Sequence, residues 1–172
     1  MHEAQRQGYG DSNMNAVVDS VRGLLVPMEG MDMLVPNVAI AEVINYQPID
    51  PVYEGPGWLL GKLRWRDQDV PVISIEKLCG FEIRDSAKKS RISIINSVQS
   101  GSELKFYAVV IAGIPRSVRI DEQSAVSLQQ SETGPLSDAI ADYVSVAGQE
   151  AFIPNLGTIQ SMLKAVLESM PR

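Results

Sequence analysis

Residues 58–75, WLLGKLRWRDQDVPVISI, constrain the fold of this 172-residue chain more than any other stretch. Apolar residues, many of them β-branched or aromatic, flank the polar tetrad Arg66-Asp67-Gln68-Asp69. This composition is typical of a β-hairpin, and the tetrad is the natural turn. Pro71 removes one backbone hydrogen-bond donor from the second arm, which favours an edge or a bulge there. We therefore predict a hairpin with one open side.

Composition excludes several classes of protein. A hydrophobic content of 45% predicts a folded globular chain. The net charge of -6 repels phosphate backbones and anionic lipids, so a small-barrel nucleic-acid module conflicts with it. Lys88, Lys89 and Arg91 form the one local basic cluster, and a solvated loop explains them. No apolar run approaches the ~20 residues that span a bilayer, so we expect no direct membrane insertion.

The single cysteine, Cys79, excludes an internal disulfide framework. Neither a basic nor an apolar segment opens the sequence, so we expect no secretory signal. Both observations favour a reducing, cytoplasmic location.

Turn signals divide the chain into short strands. Residues 1–22 are rich in Gln, Gly, Asn and Ser without apolar periodicity, and we predict a loose tail there. The polar segment 82–90 is the best internal boundary. Outside these segments we predict strands at 24–28, 31–35, 42–46, 91–98 and 104–111, with short helical turns at 37–41 and 76–81.

The second half of the chain weakly repeats the first. Residues 143–154 begin with an aromatic residue, contain a polar turn and carry a proline in the outgoing arm, as residues 58–71 do. The chain closes with an amphipathic helix, which Asn155 or Thr158 can cap. Its apolar stripe consists of Leu156, Ile159, Leu163, Val166, Leu167 and Met170. We therefore predict a mainly β protein of two small barrels, with this helix docked on one barrel end.

The hairpin segment resembles the CheW-like domain, which has an aromatic residue, a glycine, an arginine five positions on and a Val-Pro-Val arm. The matching residues here are Trp58, Gly61, Arg66 and Val70-Pro71-Val72. Upstream, Leu34-Val35-Pro36 and Ala41-Glu42-Val43-Ile44 are similar to the small helix and Glu-Val strand of the family. The resemblance runs from about residue 24 to residue 167. It is greatest to short accessory proteins of bacterial chemosensory clusters, including those that govern twitching motility.

The resemblance implies two intertwined five-stranded SH3-like β-barrels with a few short helices. We place one domain at residues 23–172, with a first barrel at about 23–90, a second at 91–154 and the helix at 155–170 packing back. It also implies a non-catalytic adaptor that couples methyl-accepting chemoreceptors to a CheA-type histidine kinase, without cofactor or metal. Such a protein is cytoplasmic and joins the inner-membrane chemosensory array through its partners. The alternative is a stand-alone interaction module that binds a kinase or another partner without receptor coupling.

The resemblance also assigns candidate partner-binding residues. Arg66 falls on the functionally sensitive arginine of the family, and Glu42 on the glutamate that pairs with it. For the kinase side we expect Ile40, Val43, Gly61 and Leu63, and the receptor-groove positions of the second half are Ala108, Gly113 and Ile114.

Three departures from the family pattern stand beside these matches. Asp67 replaces the usual glycine after the arginine, and Ser74-Ile75 replaces Asp-Leu. Ile111-Ala112 stands where the second barrel usually carries Val-Val-Asp.

Each candidate also has a simpler interpretation. Arg66 beside a turn can be a solvated arginine, since exposed charge pairs contribute only about 0–1 kcal/mol. Trp65 and Trp58 are either core residues or interface anchors. Cys79 is better explained as a small buried residue than as a nucleophile, because the sole histidine, His2, lies in the predicted tail.

Enzymatic motifs are missing from the sequence. It contains no Gly-rich phosphate loop, zinc-ligand spacing or Gly-x-Ser-x-Gly elbow. Asp67 and Asp69 lie two residues apart, but turn aspartates are far commoner than metal pairs. The remote enzymatic alternative is a hydrolase that uses Asp67, Asp69, Asp121 and Glu122.

Overall fold

The computed structural model describes residues 20–83 and 91–171. Twelve strands lie in this part of the chain: β1 (Val21–Val26), β2 (Asp32–Pro36), β3 (Ile40–Asn45), β4 (Asp50–Pro51), β5 (Leu59–Trp65), β6 (Gln68–Ile73), β7 (Arg91–Asn96), β8 (Phe106–Ile111), β9 (Arg116–Ile120), β10 (Ala125–Ser127), β11 (Ile140–Val146) and β12 (Gln149–Pro154). The helices are α1 (Ile75–Cys79), α2 (Gln130–Thr133) and α3 (Leu156–Ser169), and a 3-10 turn covers Asn37–Ala39. None of these helices is long and apolar enough to cross a membrane.

The predicted hairpin is present as β5 and β6, but its turn is shorter than predicted. Gln68 and Asp69 belong to β6, and only Arg66 and Asp67 connect the strands. Both residues are left-handed, with φ of 45° and 60°. This is the conformation of a two-residue type I′ turn, whose twist matches that of the flanking strands. Pro71 occupies the half of β6 that β8 does not pair, since the β6–β8 pairing involves only Val72 and Ile73.

The strands form two six-stranded sheets with the same internal arrangement. Sheet 1 has the order β10-β11-β12-β2-β1-β9, and sheet 2 has the order β4-β5-β6-β8-β7-β3. In each sheet a hairpin from one half of the chain pairs with strands from the other half. The predicted repeat is therefore visible, because the β5–β6 hairpin in sheet 2 occupies the place of the β11–β12 hairpin in sheet 1.

This exchange of strands changes the expected division of the chain. The sheets do not follow the predicted boundary at residue 90: β1 and β2 belong to sheet 1 with the late strands, and β7 and β8 belong to sheet 2 with the early ones. The sheets also have six strands each rather than five, and the two shortest, β4 and β10, lie at sheet edges. β1 begins at Val21, inside the predicted tail, while residues 1–19 and 84–90 lie outside the described part.

Three clusters of buried side chains hold the molecule together. One lies within sheet 2 and includes Leu63 and Val110, and another lies within sheet 1 and includes Leu25 and Val146. The largest, which we call the shared core, draws on both sheets and on α3. Its members include Met33, Ile73, Ile95, Tyr107, Tyr143, Phe152, Ile159 and Leu163. Burial of this apolar surface is what joins the sheets.

The C-terminal helix α3 confirms the predicted amphipathic pattern. The Asn155 side chain caps it by accepting the Thr158 N–H at 3.0 Å. Ile159 and Leu163 enter the shared core, and Leu156, Val166 and Met170 pack against it, whereas Leu167 is 37% exposed. Gln160 is also buried, and its carbonyl oxygen accepts the Val98 N–H at 2.8 Å.

Candidate functional site

The candidate site lies where sheet 2 curls until its first and last parts meet. β3 is an edge strand, and β5 lies four strands away in the sheet order. Even so, the Trp65 indole N–H at the end of β5 donates to Glu42 Oε2 on β3 at 2.9 Å. The β3–β7 pairing shifts register between Ile40 and Glu42, directly beside this contact. The contact therefore depends on barrel curvature as well as on sequence.

Glu42 and Arg66 form the predicted ion pair. Arg66 Nη2 lies 3.1 Å from Glu42 Oε2, and 69% of the Arg66 side chain and 38% of the Glu42 side chain are exposed. The Arg66 guanidinium also stacks over the Trp65 ring, 4.7 Å from its centroid. Exposed ion pairs contribute only about 0–1 kcal/mol to stability. The pair thus presents charge at the surface more than it stabilises the fold.

The turn that carries Arg66 is strained. Non-glycine residues rarely adopt positive φ, and here both central residues of the turn do so. Aspartate tolerates the left-handed region better than most residues, which accommodates Asp67 where the family usually has glycine. Strain of about 1–3 kcal/mol at such positions persists only where the surroundings impose it. The ion pair of Arg66 with Glu42 and its stacking on Trp65 are among the contacts that hold the turn in this conformation.

The residues expected on the kinase side are not equally accessible. Ile40 and Val43 are half-buried and pack against the shared core. Leu63 is only 4% exposed and lies inside sheet 2, so its side chain is not available to a partner. Gly61 is buried with φ of 147°, and a Cβ there would lie 2.1 Å from the Asp50 carbonyl oxygen. Glycine is therefore required at this position by the close passage of β4.

The residues expected in the receptor groove are divided between the sheets. Ala108 is fully buried in sheet 2, between strands β6 and β7, rather than in a separate second barrel. Gly113 and Ile114 lie in the β8–β9 loop, which the Ala112 N–H ties to the Pro27 carbonyl at 2.8 Å. Of the three, only Ile114 has an exposed apolar side chain, at 65%.

Trp65 belongs to the site, although the sequence alone allows it to be either a core residue or an interface anchor. It belongs to the sheet 2 core, yet it also contacts both members of the ion pair. The position of Trp65 beside Arg66 in the sequence is the signal that could have identified it as a site residue. The contact with Glu42 could not be predicted, because 22 residues separate Glu42 from Trp65 along the chain.

A cleft of about 540 Å³ lies between the β5–β6 hairpin and the end of α3. Val52, Pro71 and Leu167 contribute to its apolar lining. On its rim, Lys62 pairs with Asp69 at 3.4 Å and Lys164 pairs with Glu168 at 3.9 Å. No sequence pattern indicated this cleft, since its two walls are almost one hundred residues apart in the chain.

The structure does not bring the four acids of the hydrolase alternative together. Asp69 follows the turn of sheet 2, and hydrogen bonding to Lys62 lowers its pKa. Asp121 follows β9 of sheet 1, where backbone hydrogen bonding to Ser124 lowers its pKa. Within residues 20–83 and 91–171, no cluster of three or more His, Cys, Asp or Glu side chains could hold a metal ion.

Cys79 is a buried residue of the shared core, in agreement with the simpler interpretation of the sequence. Burial, with a smaller effect of the Glu76 charge, raises its pKa to about 12. The thiol therefore stays protonated near neutral pH, which disfavours a nucleophilic role.

A match to a known family model shows the family to which the chain belongs. The family model described as "CheW-like domain" matches residues 22–163. The chain belongs to the CheW-like domain family. A search of curated proteins finds no match.

Solved structures show the same fold. The scaffolding protein TtCheW from Thermoanaerobacter tengcongensis superposes with a TM-score of 0.66 at 17% sequence identity. The alignment covers 88% of this chain and 91% of that chain. The fold prediction of two intertwined SH3-like barrels is thus confirmed for this CheW-like protein. The roles of its nine predicted partner-binding residues stay predictions.

Proposed function

We propose that this CheW-like protein is a non-catalytic adaptor that couples methyl-accepting chemoreceptors to a CheA-type histidine kinase. The pathway is chemotaxis or twitching motility, and the protein reaches the inner-membrane chemosensory array from the cytoplasm through its partners. The observation that carries the proposal is the exposed Arg66–Glu42 pair, since both residues match positions that the family resemblance ties to function.

The mechanism is geometric. The rim of sheet 2 presents an oriented charge pair, while Ile114 offers an apolar contact on the β8–β9 loop. Interfaces combine such apolar anchors with a polar rim that sets orientation. For the kinase we assign the half-buried Ile40 and Val43 of β3. Gly61 and Leu63 act indirectly, by shaping the sheet behind that surface.

Purification of the tagged protein from its native cells tests the proposal. We expect a histidine kinase and chemoreceptors to co-purify, and R66A to lose most of the receptor while remaining folded. R64A is the matched control, because Arg64 is a similarly exposed arginine on β5 that pairs with Asp69 at 3.4 Å. Absence of any kinase would refute the adaptor function. Unchanged partner recovery and motility in R66A would remove Arg66 from the site.

A second candidate is a stand-alone CheW-like module that binds a kinase or another partner without a receptor. It is favoured by the buried position of Ala108 and by the missing acid after Ile111. The same purification separates the two functions, since a module of this kind recovers its partner protein and no chemoreceptor.

A further inference from the structure

Trp65 contacts both members of the Arg66–Glu42 pair through different parts of one side chain. Its indole N–H donates to Glu42 Oε2 at 2.9 Å, and its ring face lies 4.7 Å from the Arg66 guanidinium carbon. The oxygen that accepts the indole hydrogen bond is also the one nearest to Arg66. Two side chains, those of Trp65 and Arg66, thus converge on a single carboxylate oxygen of Glu42.

The surroundings of Trp65 keep it rigid. The indole is 7% exposed and belongs to the buried cluster of sheet 2. Phe106 packs against it edge to face, with ring centroids 4.9 Å apart. Its backbone pairs with Gln68 in the last register position before the turn. The indole is therefore fixed by the core, whereas Arg66 and Glu42 reach into solvent.

A rigid neighbouring ring reduces the entropy that the two side chains of an exposed ion pair lose on binding. Two long charged side chains lose rotamer freedom when they pair, and this entropy cancels most of the electrostatic gain. Contacts with an immobile ring restrict both side chains before a partner arrives. Preorganisation of this kind increases affinity, because less ordering remains to be done on binding.

We propose that Trp65 is the positioning residue of the partner-binding site. Its N–H fixes the Glu42 carboxylate and its ring fixes the Arg66 guanidinium, so a partner meets an oriented pair. The identity of the partner rests on the proposed function. The arrangement itself is a property of the free protein and is tested without any partner.

The first test uses ¹⁵N NMR of the free, full-length protein. The chain has two tryptophans, so Trp58 supplies an internal reference signal. In E42A we expect the Trp65 indole N–H to exchange with solvent about tenfold faster, since it loses a hydrogen bond to a charged group. The Trp58 signal stays unchanged. A Trp65 signal that does not respond to E42A would overturn the proposal, whatever the partner.

The second test measures binding to the chemoreceptor recovered in the purification above. W65F keeps the ring face but removes the N–H, whereas W65L removes both contacts. We expect W65F to weaken binding about threefold to tenfold, and W65L to weaken it further. R64A, which leaves the three residues untouched, binds as the wild type does.

Non-additivity distinguishes positioning from a merely structural role. In an R66A background, W65F has little further effect on binding if Trp65 acts through the pair. Circular dichroism and chemical denaturation verify that W65F is folded. Wild-type affinity in W65F, or independent multiplication of the W65F and R66A effects, would overturn the proposal. If no chemoreceptor is recovered, the receptor-coupling function fails while the NMR result still decides the role of Trp65.

Discussion

The backbone N–H of Glu29 donates to the Glu76 carboxylate across 3.3 Å. Glu29 lies in the turn between β1 and β2 of sheet 1, whereas Glu76 lies on α1, directly after β6 of sheet 2. The Ser74 hydroxyl donates to the second Glu76 oxygen at 3.2 Å. A buried carboxylate therefore bonds to the turn of the other sheet, beside the shared core.

Glu76 makes stability depend on pH. Burial, and to a smaller extent the Glu29 charge, raises the pKa of Glu76 above the ordinary value of a glutamate. The folded protein therefore binds a proton more readily than the unfolded chain, and stability decreases as pH rises through the folded-state pKa. We expect E76Q to be more stable than the wild type at pH 8, with a difference that shrinks as the pH falls towards 4.5.

Urea denaturation of both proteins between pH 4.5 and pH 8 measures this difference. E150Q is the control, because Glu150 is exposed on β12. A difference between E76Q and wild type that stays constant over the whole range would contradict the prediction.

Gly61→Ala should destabilise the fold by more than about 2 kcal/mol. The new Cβ would lie 2.1 Å from the Asp50 carbonyl oxygen, and φ of 147° is strained for any side chain. Chemical denaturation measures the loss. Gly57→Ala is the matched control, since a Cβ at Gly57 meets no atom within 4 Å. Equal stability of the two variants would show that the β4 backbone shifts to accommodate the added methyl group.

Asp67→Gly should raise the free energy of unfolding by about 0.5–1 kcal/mol. Asp67 has φ of 60°, and glycine adopts this region without a steric penalty, although it gains entropy in the unfolded chain. Thermal or urea denaturation tests the change, with D69G as a control within regular strand β6. Destabilisation by D67G would mean that the aspartate side chain stabilises the turn.

Leu163→Ala should cost about 2–5 kcal/mol, because Leu163 is fully buried in the shared core. Met162→Ala, at an exposed position on the same helix, should change stability by less than about 0.5 kcal/mol. Both values follow from equilibrium denaturation by urea. The shared core also predicts one cooperative transition for both sheets, and two separate transitions in the wild type would contradict it.

Local patterns were enough to predict much of the fold. The β-branched arms around residues 66–69 specify a hairpin, and the stripe that includes Ile159 and Leu163 specifies a helix with one buried face. Ser74 and Asn155 cap the helices that follow the two hairpins, as their side chains allow. These features depend on neighbours within a few residues, which is why composition and spacing reveal them. The pairing of Glu42 with Arg66 came instead from the family resemblance, and the ion pair is present.

Other properties depend on residues far apart in the chain, and only the tertiary structure decided them. Strand exchange placed Ala108 in sheet 2 beside β6. Pairing between distant strands has no local signature, so the sequence did not predict this position. Barrel curvature brought Trp65 to Glu42, and the passage of β4 made glycine obligatory at position 61. The sequence by itself therefore determined the β5–β6 hairpin, the strands β1, β2, β3, β7 and β8, and the helix α3, but it did not predict β4, β9, β10 or α2. Packing between distant segments decided which side chains face a partner, because exposure is a property of the closed barrels and not of any single strand.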